Sequence, residues 1–262
     1  MYRLHSFCQS GNSYKVAFFL RALGVAWEPV FVDFMNGMTR TADWREQTNP
    51  MGEAPVLEDG QRSLTQSGVI LTYLAQKHAP AYLGESEEDK LEVLRWLLFD
   101  NHKFTSYFAT FRFMKAFGAT PPEPALMAWL QGRMDNAFGI VDKHLEGRTF
   151  MVGEQPTIAD FSLCGYLFYP VEESGYDVAA SYPHIHAWLQ RLRHPAAGGA
   201  AVRFHMRHRW LGWADDGALR LATPTGGHHG TLRRATGRRH GLRPRASGRV
   251  VSPAVPARAS RG

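Results

Sequence analysis

The chain has 262 residues, 44% of them hydrophobic, and a formal net charge of +6. That length supports a sizeable core, more naturally in two domains than in one. No stretch approaches the roughly 18 apolar residues of a membrane span, and the N-terminus has no apolar segment leading to a small-residue cleavage site, so a soluble cytoplasmic protein is expected. Cys8 and Cys164 match neither a metal-binding nor a paired-redox spacing, which argues against a disulfide framework and offers no metal site. The charge is unevenly placed: residues 195–262 hold thirteen arginines, no lysine and two acidic residues, Asp215 and Asp216. That surplus of eleven leaves residues 1–194 at a net charge of −5. The basic character belongs to the tail.

Taken in chain order, Tyr2 to Phe7 alternates as a half-buried strand does and breaks at Gln9-Ser10-Gly11. Asn12 to Leu23 carries apolar residues at helical spacing, with Gly24 just past the end. Val30 to Phe34 is a predicted second strand and Thr41 to Gln47 a short helix, after which Asn49-Pro50-Met51-Gly52 is a turn. Ala54 to Leu57 and Arg62 to Leu64 flank Glu58-Asp59-Gly60 as a hairpin, and Ser67 to His78 is a helix. The order β-α-β-α-β-β-α is that of a thioredoxin-like α/β domain, expected over residues 1–79.

Beyond the loop around Pro80 the pattern changes to helices without strands, so residues 85–193 are expected to form a separate all-helical C-terminal domain. Its predicted helices are a long one over Glu85 to Phe117, another over Ala125 to Leu145, a buried one over Thr157 to Phe168 and a short one over His184 to Leu192. Apolar periodicity then vanishes, and residues 194–262 read as a largely disordered tail.

Four motifs coincide. Asn49-Pro50-x-Gly52-x-Ala54-Pro55-Val56-Leu57 is followed by Gln66-Ser67 at the mouth of a helix. The first turn reads Ser10-Gly11-Asn12-Ser13-Tyr14-Lys15-Val16, and the second half carries Pro156-Thr157-Ile158-Ala159-Asp160-Phe161. Over residues 1–193 this combination resembles the cytosolic glutathione S-transferase family, most closely bacterial members with a serine or asparagine in the first turn.

The resemblance implies that glutathione is the co-substrate and that Glu53, Ala54, Pro55, Gln66 and Ser67 bind it. Ala54-Pro55 is expected to be cis, the one junction at which cis costs only about 0.5–1 kcal/mol. That turns the Ala54 backbone toward the cysteinyl unit of the tripeptide. Gln66 and Ser67 stand where the γ-glutamyl carboxylate meets a helix N-terminus. A trans proline at a strand start and an ordinary N-cap are the plain alternatives. Catalysis implies activating a thiol whose pKa is near 8.5 when free, and each unit of lowering is worth about 1.4 kcal/mol. Ser10, Asn12 and Ser13 are the candidate donors, in that order. Tyr2 and Tyr14 rank below them, because one lies in a strand and the other on the helix.

Cys8 lies two residues early for the position at which some members carry a reactive cysteine, so burial is its expected fate, as it is for Cys164. Thr157 and Asp160 form a capping box, a folding device whose Asp160→Ala loss should be about 1 kcal/mol or more. The aromatic set Phe104, Tyr107, Phe108, Phe111 and Phe113 exceeds what one buried face needs; Tyr107 and Phe111 are the choice for lining the pocket of a small hydrophobic electrophile. The resemblance also implies a homodimer.

The expected function is a glutathione transferase. The alternatives are a catalytically silent binding or regulatory module of the same fold, and a glutathione-dependent isomerase or reductase. For the tail there are three readings. It can be a solvated appendage, a nucleic-acid arm without specificity, or a frameshifted end, since the codons of Ala200 to Phe204 read one base later can encode Arg-Pro-Tyr-Asp-Phe. Neither a membrane nor a specific nucleic acid is expected as a partner.

Overall fold

The computed structural model describes residues 1–193; the tail expected over 194–262 lies outside the described residues. The first half is a four-stranded sheet in the order β2-β1-β3-β4. β1 (Tyr2–Ser6) lies parallel to β2 (Trp27–Phe31) and antiparallel to β3 (Val56–Asp59), which continues through the Gly60-Gln61 turn into β4 (Arg62–Thr65). Three helices complete this half: α1 (Gly11–Ala22), α2 (Ala42–Gln47) and α3 (Ser67–His78).

The second strand lies three residues earlier than its apolar run predicts, with Pro29 inside it. A proline is tolerated there because β2 is an edge strand, so the missing N–H removes no bond to a further strand. Trp44 of α2 covers one face of the sheet in a small cluster with Phe7, Val32 and Val56. The other face meets α1 and α3 in a larger core that runs on without a break into the helical half. α1 is buried nearly all round, from Ser13 through Leu20, because it lies between the sheet and that second half.

The helical half begins with α4 (Glu87–Phe99), whose Ser86 and Asp89 close a capping box. The long helix expected over 85–117 is interrupted by a π-helical segment at Asp100–Phe104 before α5 (Thr105–Phe117). The interruption turns the Asp100 carboxylate inward, where it accepts from Lys15 Nζ (2.6 Å), Ser162 Oγ (2.6 Å) and Thr105 Oγ1 (2.5 Å). Lys15 and Asp100 have no exposed side-chain surface, so this ion pair is dry and joins the two halves.

α6 (Pro124–Leu145) follows, then α7 (Ile158–Leu163), which passes into a 3-10 turn at Cys164–Tyr166 and is shorter than the helix expected to Phe168. Three further helices close the described chain: α8 (Val171–Ser174), α9 (Val178–Ser181) and α10 (Pro183–Arg193). Between the halves, Phe161 of α7 packs against Phe18 and Phe19 of α1 at centroid distances of 5.1 and 4.8 Å. The Thr157–Asp160 box at the head of α7 is present. Asp160 does more than cap, however: besides Thr157 N (2.8 Å) and Oγ1 (3.0 Å), its carboxylate accepts from Met151 N (2.9 Å) and Trp188 Nε1 (2.8 Å). No described helix is long and apolar enough to cross a membrane.

Candidate active site

A cleft of about 260 Å³ opens at the top of the sheet. Its floor and one side come from the first half: Ser10 and Asn12 at the head of α1, Glu53, Ala54 and Pro55 before β3, and Gln66 and Ser67 at the head of α3. Of the eight residues proposed from the sequence for glutathione and its thiol, the fold brings these seven together. The Ala54-Pro55 bond is cis. The loop before it is held by Asn49, which is buried, donates Nδ2 to the Glu53 carbonyl (2.9 Å) and accepts from Met51 N (3.0 Å).

At the other wall Gln66 Nε2 donates to Glu53 Oε2 at 2.8 Å, leaving the Gln66 amide oxygen and the second carboxylate oxygen of Glu53 for an ammonium group. Gln66 is the only described non-glycine residue with a positive φ, +66°, a conformation that costs of order 1–3 kcal/mol and clusters at ligand clamps. Ser67 opens α3, so its hydroxyl and the free N–H groups of that turn offer an anion site. Its Oγ lies 3.4 Å from Asn12 Oδ1, a long bond that is easily exchanged for a ligand.

The three first-turn candidates separate by placement. Ser10 is the N-cap of α1, with Oγ accepting from Ser13 N at 3.1 Å. Capping uses a lone pair and leaves its O–H free to donate. Asn12 lines the cleft and presents an amide. Ser13 is buried, its Oγ makes no hydrogen bond and it lines no described cleft, because it sits on the inner face of the helix. Cys8 is half-buried, with Sγ 3.2 Å from Gln9 Oε1, and burial pushes its thiol up. Tyr14 is wholly buried in the core. Among the described residues no group of three metal-ligating side chains converges.

Two residues of the helical half complete the cleft, Asn101 from the π-helical segment and Tyr166 from the turn after α7. Neither was legible in the sequence. Tyr166 packs so tightly on Gly11 that a Cβ there would meet its ring at 2.2 Å, and a Cβ on Gly165 would meet Lys15 Cγ at 2.5 Å. The two halves therefore cross at a pair of glycines.

A second cleft of about 250 Å³ adjoins the first, walled by Phe7, Phe34 and Phe113 with Ala109, Thr110 and Arg112 of α5. Phe7 and Phe34 stack at 4.4 Å, and Phe113 meets Phe34 edge-on at 6.4 Å. Tyr107 and Phe111, chosen from the sequence for this role, do not line it: Tyr107 packs edge-on against Trp129 and Phe111 is in the core. The face of α5 that meets the cleft is the adjoining one, and helical spacing alone does not say which face turns toward the first half.

Arg112 is the buried cation of this region. It donates Nη1 to the Gln9 carbonyl (2.8 Å) and Nε to Glu173 Oε2 (2.6 Å), and lies 3.8 Å from the centre of the Tyr169 ring. Tyr169 in turn donates its hydroxyl to the Cys8 carbonyl at 2.6 Å. The turn that presents Ser10 is thus held on its carbonyl side by the helical half.

Comparison with known proteins agrees with the fold. Residues 1–76 match the model for the glutathione S-transferase N-terminal domain, and residues 103–195 match that for its C-terminal domain. A glutathione S-transferase-like protein from Beauveria bassiana, OpS6, is 26% identical over 201 residues, covering 73% of this chain and 89% of that protein. The structure of a glutathione S-transferase from Pseudomonas fluorescens is 33% identical, with a TM-score of 0.66 over 74% of this chain and 96% of its own. One from Xanthobacter autotrophicus is 29% identical with a TM-score of 0.67, over 76% of this chain and 95% of its own.

Proposed function

The chain belongs to the glutathione S-transferase family, and from that premise we propose that it activates the thiol of glutathione for attack on a small hydrophobic electrophile. The observation that carries this reading is the shared wall of two clefts of opposite character. The polar one gathers Glu53, Ala54, Gln66 and Ser67, groups suited to the charged end and backbone of a γ-glutamyl peptide, and the other is walled by three phenylalanines.

In this reading residues 1–79 bind glutathione and residues 85–193 contribute the electrophile side. Ala54 pairs with the cysteinyl backbone, Glu53 and Gln66 meet the γ-glutamyl ammonium, and Ser67 with the first turn of α3 takes its carboxylate. The Ser10 hydroxyl donates to the sulfur, and the Asn12 amide is the next donor. A hydrogen bond to the thiolate that lowers its pKa by one unit raises the thiolate fraction near neutral pH about tenfold. The thiol proton leaves to water. The sulfur electron pair then forms a carbon–sulfur bond, while the breaking bond's electrons leave with the departing group or, in a ring opening, go to an oxygen that water protonates.

The test is a glutathione titration followed by turnover on a panel of small electrophiles, with Ser10→Ala, Asn12→Ala and Ser10→Asp beside the wild type. Ser10→Asp preserves the helix cap but removes the donor, so it should bind glutathione and turn over at least tenfold more slowly. Binding without turnover in the wild type would instead identify a silent module of the same fold.

The proposal includes a homodimer. Leu91, Leu94 and Leu98 lie on one face of α4 and are 67%, 49% and 62% exposed, an apolar stripe that a second copy can cover. It also places the protein in the cytoplasm, consistent with Cys8 and Cys164 both being free thiols.

A further inference from the structure

Four residues line both clefts: Phe7, Ser10, Phe34 and Tyr166. If a thiol enters from one side and an electrophile from the other, the reacting sulfur must sit against this shared wall, and only two of the four carry a hydroxyl. Ser10 is one, already assigned above. The other, Tyr166, comes from the helical half and is set into the wall by the close approach of its ring to Gly11. Its ring lies against Gly11, the first residue of α1, so Tyr166 stands at the positive end of that helix.

We infer that Tyr166 is a second donor to the glutathione thiolate, supplied across the interface between the halves, so that the sulfur is held between the hydroxyls of Ser10 and Tyr166. This inference rests on the glutathione reading of the site. A donor must keep its proton, and burial pushes the Tyr166 phenol above its ordinary value, against the pull of Arg112 and the first-turn groups. A neutral phenol has one O–H to donate. Two donors on one sulfur also suit a transition state in which negative charge leaves that atom, because both are fixed in advance by packing.

The experiment is spectroscopic titration of the bound thiol by thiolate ultraviolet absorbance, on wild type, Tyr166→Phe, Ser10→Ala and the double variant, with glutathione affinity and thermal unfolding measured on each. Tyr166→Phe keeps the ring that packs on Gly11 and should fold and bind glutathione within about twofold of wild type. Its bound thiol should titrate about one unit higher, with kcat about tenfold lower below that pKa and the deficit shrinking above it. The double variant should lie higher still. A bound thiol that titrates in Tyr166→Phe as in the wild type, while Ser10→Ala shifts, overturns the role of Tyr166 and leaves the glutathione reading standing. A wild type that does not bind glutathione, or binds it with an unshifted thiol, overturns both.

Discussion

Asp160 shows what a single residue can carry beyond its motif. As half of a capping box, its loss reads as about 1 kcal/mol. In the fold it is wholly buried and also holds Met151 N and Trp188 Nε1, so one carboxylate ties the loop before α7 and the last described helix to the head of α7. Burial pushes its carboxyl up, and the donors around both oxygens pull it back. Each orphaned buried donor costs about 1–3 kcal/mol, so Asp160→Ala should lose about 3 kcal/mol or more in chemical denaturation. The glutathione affinity of the folded fraction should stay unchanged, because Asp160 lies outside both clefts; a selective loss of affinity would contradict a purely structural role.

Among the elements, α6 carries a pH sensor of stability in His144. Its ring lies 4.5 Å from that of Trp96 on α4, with Nε2 2.7 Å from the Met151 carbonyl. Burial holds the imidazole below its ordinary value, with the Met151 carbonyl opposing and Arg148 and Arg95 assisting. Unfolded chain takes up this proton near pH 6.5, so as pH falls through that value the unfolded state binds more protons than the folded one. The contribution is therefore complete above about pH 6.5 and lost below it. Denaturation midpoints should fall between pH 7 and pH 5, and a His144→Asn variant should lose that part of the slope.

The elements also show which signals were local. The Thr157–Asp160 box, Gly24 past α1 and the turn at Gly60 are each set by neighbours in sequence, and the predicted α1, α2 and α3 match within a residue or two. The strand at Trp27–Phe31 and the π-helical break at Asp100 were not legible. The first depends on which edge of the sheet the strand joins, and the second on an ion pair with a residue 85 positions away.

For the molecule as a whole, the continuous core and the dry Lys15–Asp100 pair predict that the two halves of residues 1–193 unfold in one transition. Lys15→Met leaves Asp100 charged and buried with only two hydroxyl partners, which should cost about 3–5 kcal/mol and shift both far-ultraviolet and tryptophan-fluorescence transitions together. Separate transitions would show that the halves are independent. At the outer face of α4, Leu94→Glu with Leu98→Glu should convert the proposed dimer to a monomer by analytical ultracentrifugation; a wild type that sediments as a monomer removes the basis for that interface.

Sequence by itself determined the parts of the site that depend on short-range geometry. These are the Ala54-Pro55 corner, the Gln66-Ser67 helix mouth and the first turn from Ser10 to Ser13, because each needs particular residues at fixed offsets along one stretch of backbone. Only the tertiary structure decided what faces them. Tyr166, Asn101 and Arg112 reach the site because Gly11 and Gly165 let the two halves approach and because the π-helical segment between α4 and α5 is tied to the first half by the buried Lys15–Asp100 pair, contacts of residues far apart in the chain. The polar side of the cleft was therefore readable from the sequence, while Tyr166 and the apolar cleft beyond it depend on packing between the halves.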